Sequence, residues 1–306
     1  MKLLLATIIF LTSTITYAAE IGCSKVYSSI VLNEKTKDIL FEERSDAIVY
    51  PASLVKLMTL YLTFEKLKNH EMSLDQALTI SERGEEISKV NKSNTLHLKA
   101  GAKITVKEAI EAVIVKSFNE AAVTLAEGVS ESEWEFVRKM NVKAQQLGML
   151  NSSFRNSSGL HDEGQYTTAY DLARLALALK QDFPQYYHLF ALKEFKYRGT
   201  KFETHNHVLA SYKGAEGMKT GFTNASGFNL ICAAKKDDVR VISVVTGCST
   251  FQKRDQLTKK LLNRAFEKIT KNDPEIDVRL VKNFKYEYDS REYEEDMHFL
   301  AAEIGN

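Results

Sequence analysis

The chain has 306 residues, 44% of them apolar and 26% charged, and its 41 basic side chains nearly cancel 40 acidic ones. A net charge of +1 excludes the basic excess of a general nucleic-acid binder, and the apolar content without low-complexity tracts excludes a disordered chain. Three cysteines are too few for a disulfide scaffold, and no Cys-x-x-Cys or His-Glu-x-x-His offers a metal a foothold.

Residues 1–19 read as a secretory signal peptide. Lys2 gives the positive start, Leu3 to Ile15 is uncharged and apolar, and Thr16-Tyr17-Ala18-Ala19 ends in small residues. The stretch is too short for a stable membrane span, and no later run is long enough to add an anchor. Cys23 lacks the leucine three places before it that a lipoprotein cysteine requires.

The folded part is expected over 20–270. Val26 to Leu32 and Asp38 to Phe41 flank a polar turn and predict an N-terminal β-hairpin. Leu54, Leu57, Met58, Tyr61, Leu62 and Phe64 recur at helical spacing from Ser53 to about Lys68. Thr105 with Glu108 forms a capping box for a helix ending near Lys116. Further helices are predicted over Glu120 to Val129, from a cap at Ser130 to Gly148, and over Ala169 to Gln181 behind Thr168.

The period then shortens. Gly214 to Thr220, Phe228 to Ala234 and Val239 to Thr246 predict three strands in an antiparallel meander, and Asp255 to Ile269 a last amphipathic helix. Strands at both ends with helices between them give an α+β fold. It is an antiparallel sheet closed by the terminal segments and flanked by helices, with an inserted helical lobe and a site in the cleft between lobe and sheet. Residues 271–306 are rich in Glu, Asp and Tyr, with one possible strand over Asp277 to Val281.

Three short motifs carry chemistry. Ser53 and Lys56 form Ser-x-x-Lys at a helix start, one turn apart on one face. An amine there acts as a base once burial or a neighbouring cation depresses its proton affinity. This pattern arises about once by chance in such a chain, and the alternative is a helix-start serine beside a solvated lysine. Ser117-Phe118-Asn119 lies in a helix break, where a hydroxyl can relay a proton and an amide can hold a peptide, or the residues can be a plain cap. Lys219-Thr220-Gly221 lies on a strand and is rare, expected under ~0.1 times by chance. Lys219 adds positive charge, Thr220 can bind a carboxylate and Gly221 admits close backbone approach; the alternative is an edge strand with a solvated lysine.

In this order, with 64 residues from Ser53 to Ser117 and 102 from Ser117 to Lys219, the motifs resemble those of the penicillin-recognising serine enzymes. The chain is most similar to the low-molecular-mass D-alanyl-D-alanine carboxypeptidases, the S11-like peptidases. Tyr50 to Thr59, Gln165 to Thr168 and Gly217 to Asn229 carry the likeness further. The resemblance implies a serine β-lactamase/DD-peptidase-like fold with a five-stranded sheet. It also implies removal of the terminal D-alanine from peptidoglycan stem peptides, in the periplasm or at the cell surface, with no cofactor. Ser53 would be the nucleophile, Lys56 its base and Ser117 a proton relay. Asn119, Lys219, Thr220, Gly221, Phe222 and Arg254 would bind substrate, the amides of Ser53 and Phe222 forming an oxyanion hole. β-Lactam antibiotics would be covalent inhibitors on Ser53. A D-Ala endopeptidase cutting cross-links, or a non-catalytic penicillin-binding sensor module, are the alternatives. A β-lactamase is disfavoured because no Glu precedes Leu150-Asn151 in a Glu-x-x-Leu-Asn segment.

By the same resemblance, Phe118 stands where relatives carry a small residue, either narrowing the cleft or filling the core, and Phe222 where His or Tyr is common. Typical members carry a C-terminal β-domain and an amphipathic anchor. The 271–306 tail is expected to be a vestige of that missing domain. Of the other residues, His205 and His207 are expected to be solvated or core imidazoles rather than a metal pair, and Trp134 a packing residue. Cys232 and Cys248, on adjacent strands, could form a disulfide.

Overall fold

The computed structural model describes residues 23–90 and 95–271. The expectations for residues 1–19, Asp277 to Val281 and the tail beyond Lys271 lie outside these residues.

Strand β1 (Cys23–Asn33) turns back into β2 (Ile39–Glu43). A 3-10 turn (Ala52–Val55) leads into helix α1 (Lys56–Lys68). The lobe follows: β3 (Ala77–Thr79), α2 (Glu82–Val90), β4 (Lys103–Thr105), α3 (Val106–Val115), α4 (Asn119–Val129) and α5 (Glu133–Gln146). Helix α6 (Ala169–Asp182) precedes the short α7 (Pro184–Tyr187), the hairpin β5 (Glu194–Tyr197) and β6 (Thr200–Glu203), and the short α8 (His207–Ser211). Strands β7 (Ala215–Thr223), β8 (Gly227–Lys236) and β9 (Val239–Cys248) form the meander, and α9 (Phe251–Lys271) ends the described chain.

The five-stranded sheet has the order β2-β1-β9-β8-β7, with every neighbouring pair antiparallel. Its strands are apolar on both faces because both are covered. Ile30, Leu32, Ile231, Ala233, Ile242 and Val244 pack into the core shared with α1, α3, α4 and α6. Val31, Leu230, Cys232, Ala234, Val241 and Val245 face α9 through Leu257, Leu261, Leu262 and Phe266. The alternation follows from the period of two along a strand. It leaves β7 as an edge strand, beside the segment that carries Ser53.

Several expectations hold in detail. Thr105 and Glu108 make the capping box of α3, and Thr168 caps α6 by accepting from the Asp171 amide. Others need correction. Ser132, not Ser130, caps α5, accepting from the Glu135 amide; Ser130 ends α4 instead. The last helix begins at Phe251, which places Arg254 inside its first turn rather than ahead of it. Trp134 does not pack in the core: it is 63% exposed, with the Arg138 guanidinium over its ring at 5.2 Å. Cys232 faces Ser243 across the β8–β9 ladder while Cys248 faces Phe228, so register prevents a bond between the two sulfurs. Cys232 is a free, buried thiol, its pKa pushed up to about 12 by burial.

Candidate active site

Ser53 sits in the 3-10 turn rather than in the α-helix proper, and Lys56 is the first residue of α1. The tight turn brings the Lys56 amine 3.0 Å from the Ser53 hydroxyl oxygen. Lys56 is fully buried. Its amine also donates to Asn119 Oδ1 at 2.8 Å and to the Ser158 carbonyl. Both of those partners are pure acceptors. In its neutral form the amine has two N–H bonds, enough for those two acceptors, which would leave its lone pair for the Ser53 hydroxyl. Burial holds the Lys56 pKa well below the ordinary lysine range, the Lys219 charge lowers it further, and Glu120 opposes them.

The second motif spans the gap between α3 and α4. Lys116 ends α3, Phe118 caps α4 and Asn119 opens it. Ser117 turns the chain between them at φ 63°, left-handed backbone that costs about 1–3 kcal/mol for a non-glycine residue and clusters at functional sites. Its buried hydroxyl has no partner among the described residues. The Phe118 ring points into the core: it is 1% exposed and meets Phe195 and Phe202 of the β5–β6 hairpin edge-on, at 6.3 and 5.4 Å. It fills the lobe and does not narrow the cleft.

The third motif lies on β7. Lys219 is 2% exposed and donates to its neighbour's carbonyl, that of Thr220, at 2.9 Å. Burial and then the Arg254 charge lower its pKa to about 7. Gly221 runs past the Ser53 turn so closely that a Cβ there would lie 3.2 Å from the Ser53 nitrogen and the Pro51 oxygen. Thr220 is half-buried and Phe222 is 49% exposed, the Phe222 ring stacked on Phe228 at 4.2 Å. Arg254 is buried, with Nε and Nη2 on Asp255 Oδ1 at 2.9 and 2.7 Å. Its Nη1 reaches the carbonyl of Asn229, the register partner of Gly221, at 3.5 Å.

Residues outside the motifs hold this arrangement. Asn229 ties β8 to the approach to Ser53, its amide reaching the Tyr50 and Pro51 carbonyls while Oδ1 accepts from the Gly247 amide. A polar residue inside the apolar run Phe228 to Ile231 was the sequence signal for it. Ser158 and Gly159 close over Lys56 and the Ser53 turn, in a loop fixed by Glu133, which accepts from the Ser157 amide and hydroxyl. Gly159 has φ 82°, and a Cβ would lie 2.0 Å from the Ala52 oxygen. Only the structure separates this glycine from an ordinary turn glycine. Glu120, next to Asn119, is 1% exposed. His205 and His207 engage different groups, the Lys116 amine at 2.7 Å and Asp255 at 3.5 Å.

A serine with its lysine one turn away, a Ser-Phe-Asn corner from the lobe and a Lys-Thr-Gly edge strand come together between the five-stranded sheet and the helices. Comparison with known proteins agrees. The family model described as D-alanyl-D-alanine carboxypeptidase, peptidase S11, matches residues 16–250. The D-alanyl-D-alanine carboxypeptidase DacF of Bacillus subtilis is 34% identical over 78% of this chain and 61% of its own length. Penicillin-binding protein 5 of Haemophilus influenzae superposes with a TM-score of 0.75 at 33% identity, covering 78% of this chain and 70% of that one. For penicillin-binding protein D2 of Listeria monocytogenes in an ampicillin-bound form the TM-score is 0.68 at 30% identity, over 78% and 96%. The chain belongs to the S11 peptidase family, the low-molecular-mass penicillin-binding proteins. It spans about three-fifths of the length of curated relatives such as DacF.

Proposed function

We propose that the protein is a serine-type D-alanyl-D-alanine carboxypeptidase, acting outside the cytoplasm on peptidoglycan stem peptides and acylated by β-lactams. The observation that carries this reading is the buried Lys56 amine, 3.0 Å from the Ser53 hydroxyl oxygen and held there by Asn119 Oδ1 and the Ser158 carbonyl. The Ser53 oxygen attacks the carbonyl between the last two D-alanines as its proton moves to Lys56. The amides of Ser53 and Phe222 receive the oxyanion, a donor pair of which each member is worth ~2.7–4 kcal/mol. The close pass of Gly221 against the Ser53 amide supports that pairing.

Ser117, at the corner next to Asn119, takes that proton from Lys56 and passes it to the departing D-alanine nitrogen. Its hydroxyl, without a partner among the described residues, is suited to that relay. Thr220 and Arg254 hold the terminal carboxylate. Water then attacks the ester carbonyl, returns the proton to Ser53 and releases the shortened peptide. A peptide lying along β7 gains main-chain hydrogen bonds from the free edge of the sheet, and a β-lactam presents a similar carbonyl and carboxylate. The secretory reading of residues 1–19 supports action at the cell wall. The test is release of D-alanine from a stem pentapeptide beside cleavage of a cross-linked dimer. Release from the pentapeptide is expected; cleavage of the dimer alone would make the protein an endopeptidase, and neither would make it a binding module.

A further inference from the structure

Glu120 belongs to none of the three motifs, yet it lies at their meeting point. It follows Asn119 in the first turn of α4, and Asn119 Oδ1 accepts from the Lys56 amine. Its Oε1 accepts from the Thr95 hydroxyl at 2.6 Å and the Leu96 amide at 2.5 Å, clamping that segment to the base of α4. Its Oε2 is buried with no partner among the described residues.

A clamp alone does not need a carboxylate. The amide oxygen of a glutamine would accept the same two hydrogen bonds without the cost of burying a charge. What a carboxylate adds is negative charge, and the amines Lys56 and Lys219 are both buried, with the Lys219 charge acting on Lys56. The first turn of a helix also favours that charge. We propose that Glu120 is a positioning residue for acyl transfer: it anchors the Thr95–Leu96 segment to α4 and is the buried counter-charge that tunes Lys56 as a base. The inference rests on the Ser53 acylation reading above.

The charges acting on the Lys56 amine come from Lys219 on β7 and Glu120 on α4, and Arg254 on α9 acts one step back, on Lys219. Burial and Lys219 favour the neutral amine, and Glu120 favours the protonated one. Glu120 therefore keeps Lys56 more basic than burial and Lys219 alone would leave it. Removing the negative charge lowers the Lys56 pKa, so the acid limb of the rate profile moves to lower pH.

The experiment is the rate of acylation by a fluorescent penicillin against pH, for the full chain, its Glu120→Gln variant and its Thr95→Val variant. Glu120→Gln is expected to shift the acid-limb midpoint down by about one pH unit, the low end of what one opposite charge does to an ionisable group. Thr95→Val, which cuts one hydrogen bond to Oε1 and leaves the charge, is expected to keep the wild-type midpoint. A Glu120→Gln midpoint equal to wild type, or an equal shift in Thr95→Val, overturns the proposal. Should Glu120→Gln not fold, Glu120→Asp draws the charge back by one methylene, and a smaller shift in the same direction is expected; no shift overturns the proposal. A wild type that takes no label removes the Ser53 reading itself. A wild type that labels with the same midpoint as Glu120→Gln removes only the role of Glu120.

Discussion

Replacing Gly159 by alanine tests how closely the 156–159 loop sets the serine turn. A Cβ at this position would lie 2.0 Å from the Ala52 oxygen and 2.9 Å from the Ser53 nitrogen, where side-chain β-carbons do not come within 3.0 Å of a neighbour. Both obstacles are backbone, so the Ala52 peptide must retreat by about 1 Å, carrying the Ser53 amide with it. A displacement of that size in a reacting group costs about 10²-fold in rate. The left-handed φ of 82° adds about 1–2 kcal/mol of backbone strain for alanine. Gly101 separates the two effects. It has the same φ of 82°, with nothing within 4 Å of its would-be Cβ. Gly101→Ala is expected to lose a similar 1–2 kcal/mol in urea denaturation and to keep its rate of acylation by fluorescent penicillin. Gly159→Ala is expected to fold and to acylate about 10²-fold more slowly. Acylation of folded Gly159→Ala at the wild-type rate would refute the reasoning.

Two further outcomes follow from the buried groups. Lys219 loses its proton in the fold above about pH 7, while the unfolded chain keeps it up to the ordinary value of 10.5. The unfolded state thus binds more protons in that window, and the fold gains up to about 1.4 kcal/mol of stability per pH unit as pH rises. Lys219→Met lacks this gain, so its stability relative to wild type should fall between about pH 7.5 and about pH 9.5 in urea denaturation; parallel slopes would count against the depressed lysine. Phe118→Ala empties a fully packed aromatic site and is expected to cost about 3–5 kcal/mol, with KM for a stem pentapeptide unchanged. A stable variant with altered KM would put the ring in the cleft instead.

Local rules made much of this fold legible. The capping box of α3, the Thr168 cap of α6 and the apolar stripe of α9 announced these helices, because a helix end and a helix face are written in residues three and four apart. The hairpin and the meander were equally readable from period and turn chemistry. What escaped was built from long-range contact. Strands β3 and β4 have three residues each and exist through pairing with each other, so neither carries a pattern of its own. The β5–β6 hairpin, Glu194–Glu203, alternates too weakly to stand out, with only Phe195 and Tyr197 buried along it.

The motif residues Ser53, Lys56, Ser117, Asn119 and Lys219 were legible because their chemistry depends on residue type and order. The side chains that hold them were not. Gly159 matters through contact with Ala52, Glu120 through contact with Thr95 and Leu96, and Asn229 through contact with Pro51. The two phenylalanines show the same limit. Phe118 and Phe222 looked alike as departures from the family pattern, yet one ring lies in the core and the other is half exposed on the sheet edge. A single strand or cap residue does not reveal which way its side chain points without the neighbours that receive it.

The most direct measurement is the intact mass of the purified protein after treatment with benzylpenicillin, taken beside its Ser53→Ala variant. One adduct per chain on the first, mapped to the peptide that holds Ser53, and none on the second is the expected result. Equal labelling of both proteins, or an adduct on another side chain of the unaltered one, would contradict a nucleophile at Ser53 with Lys56 as its base.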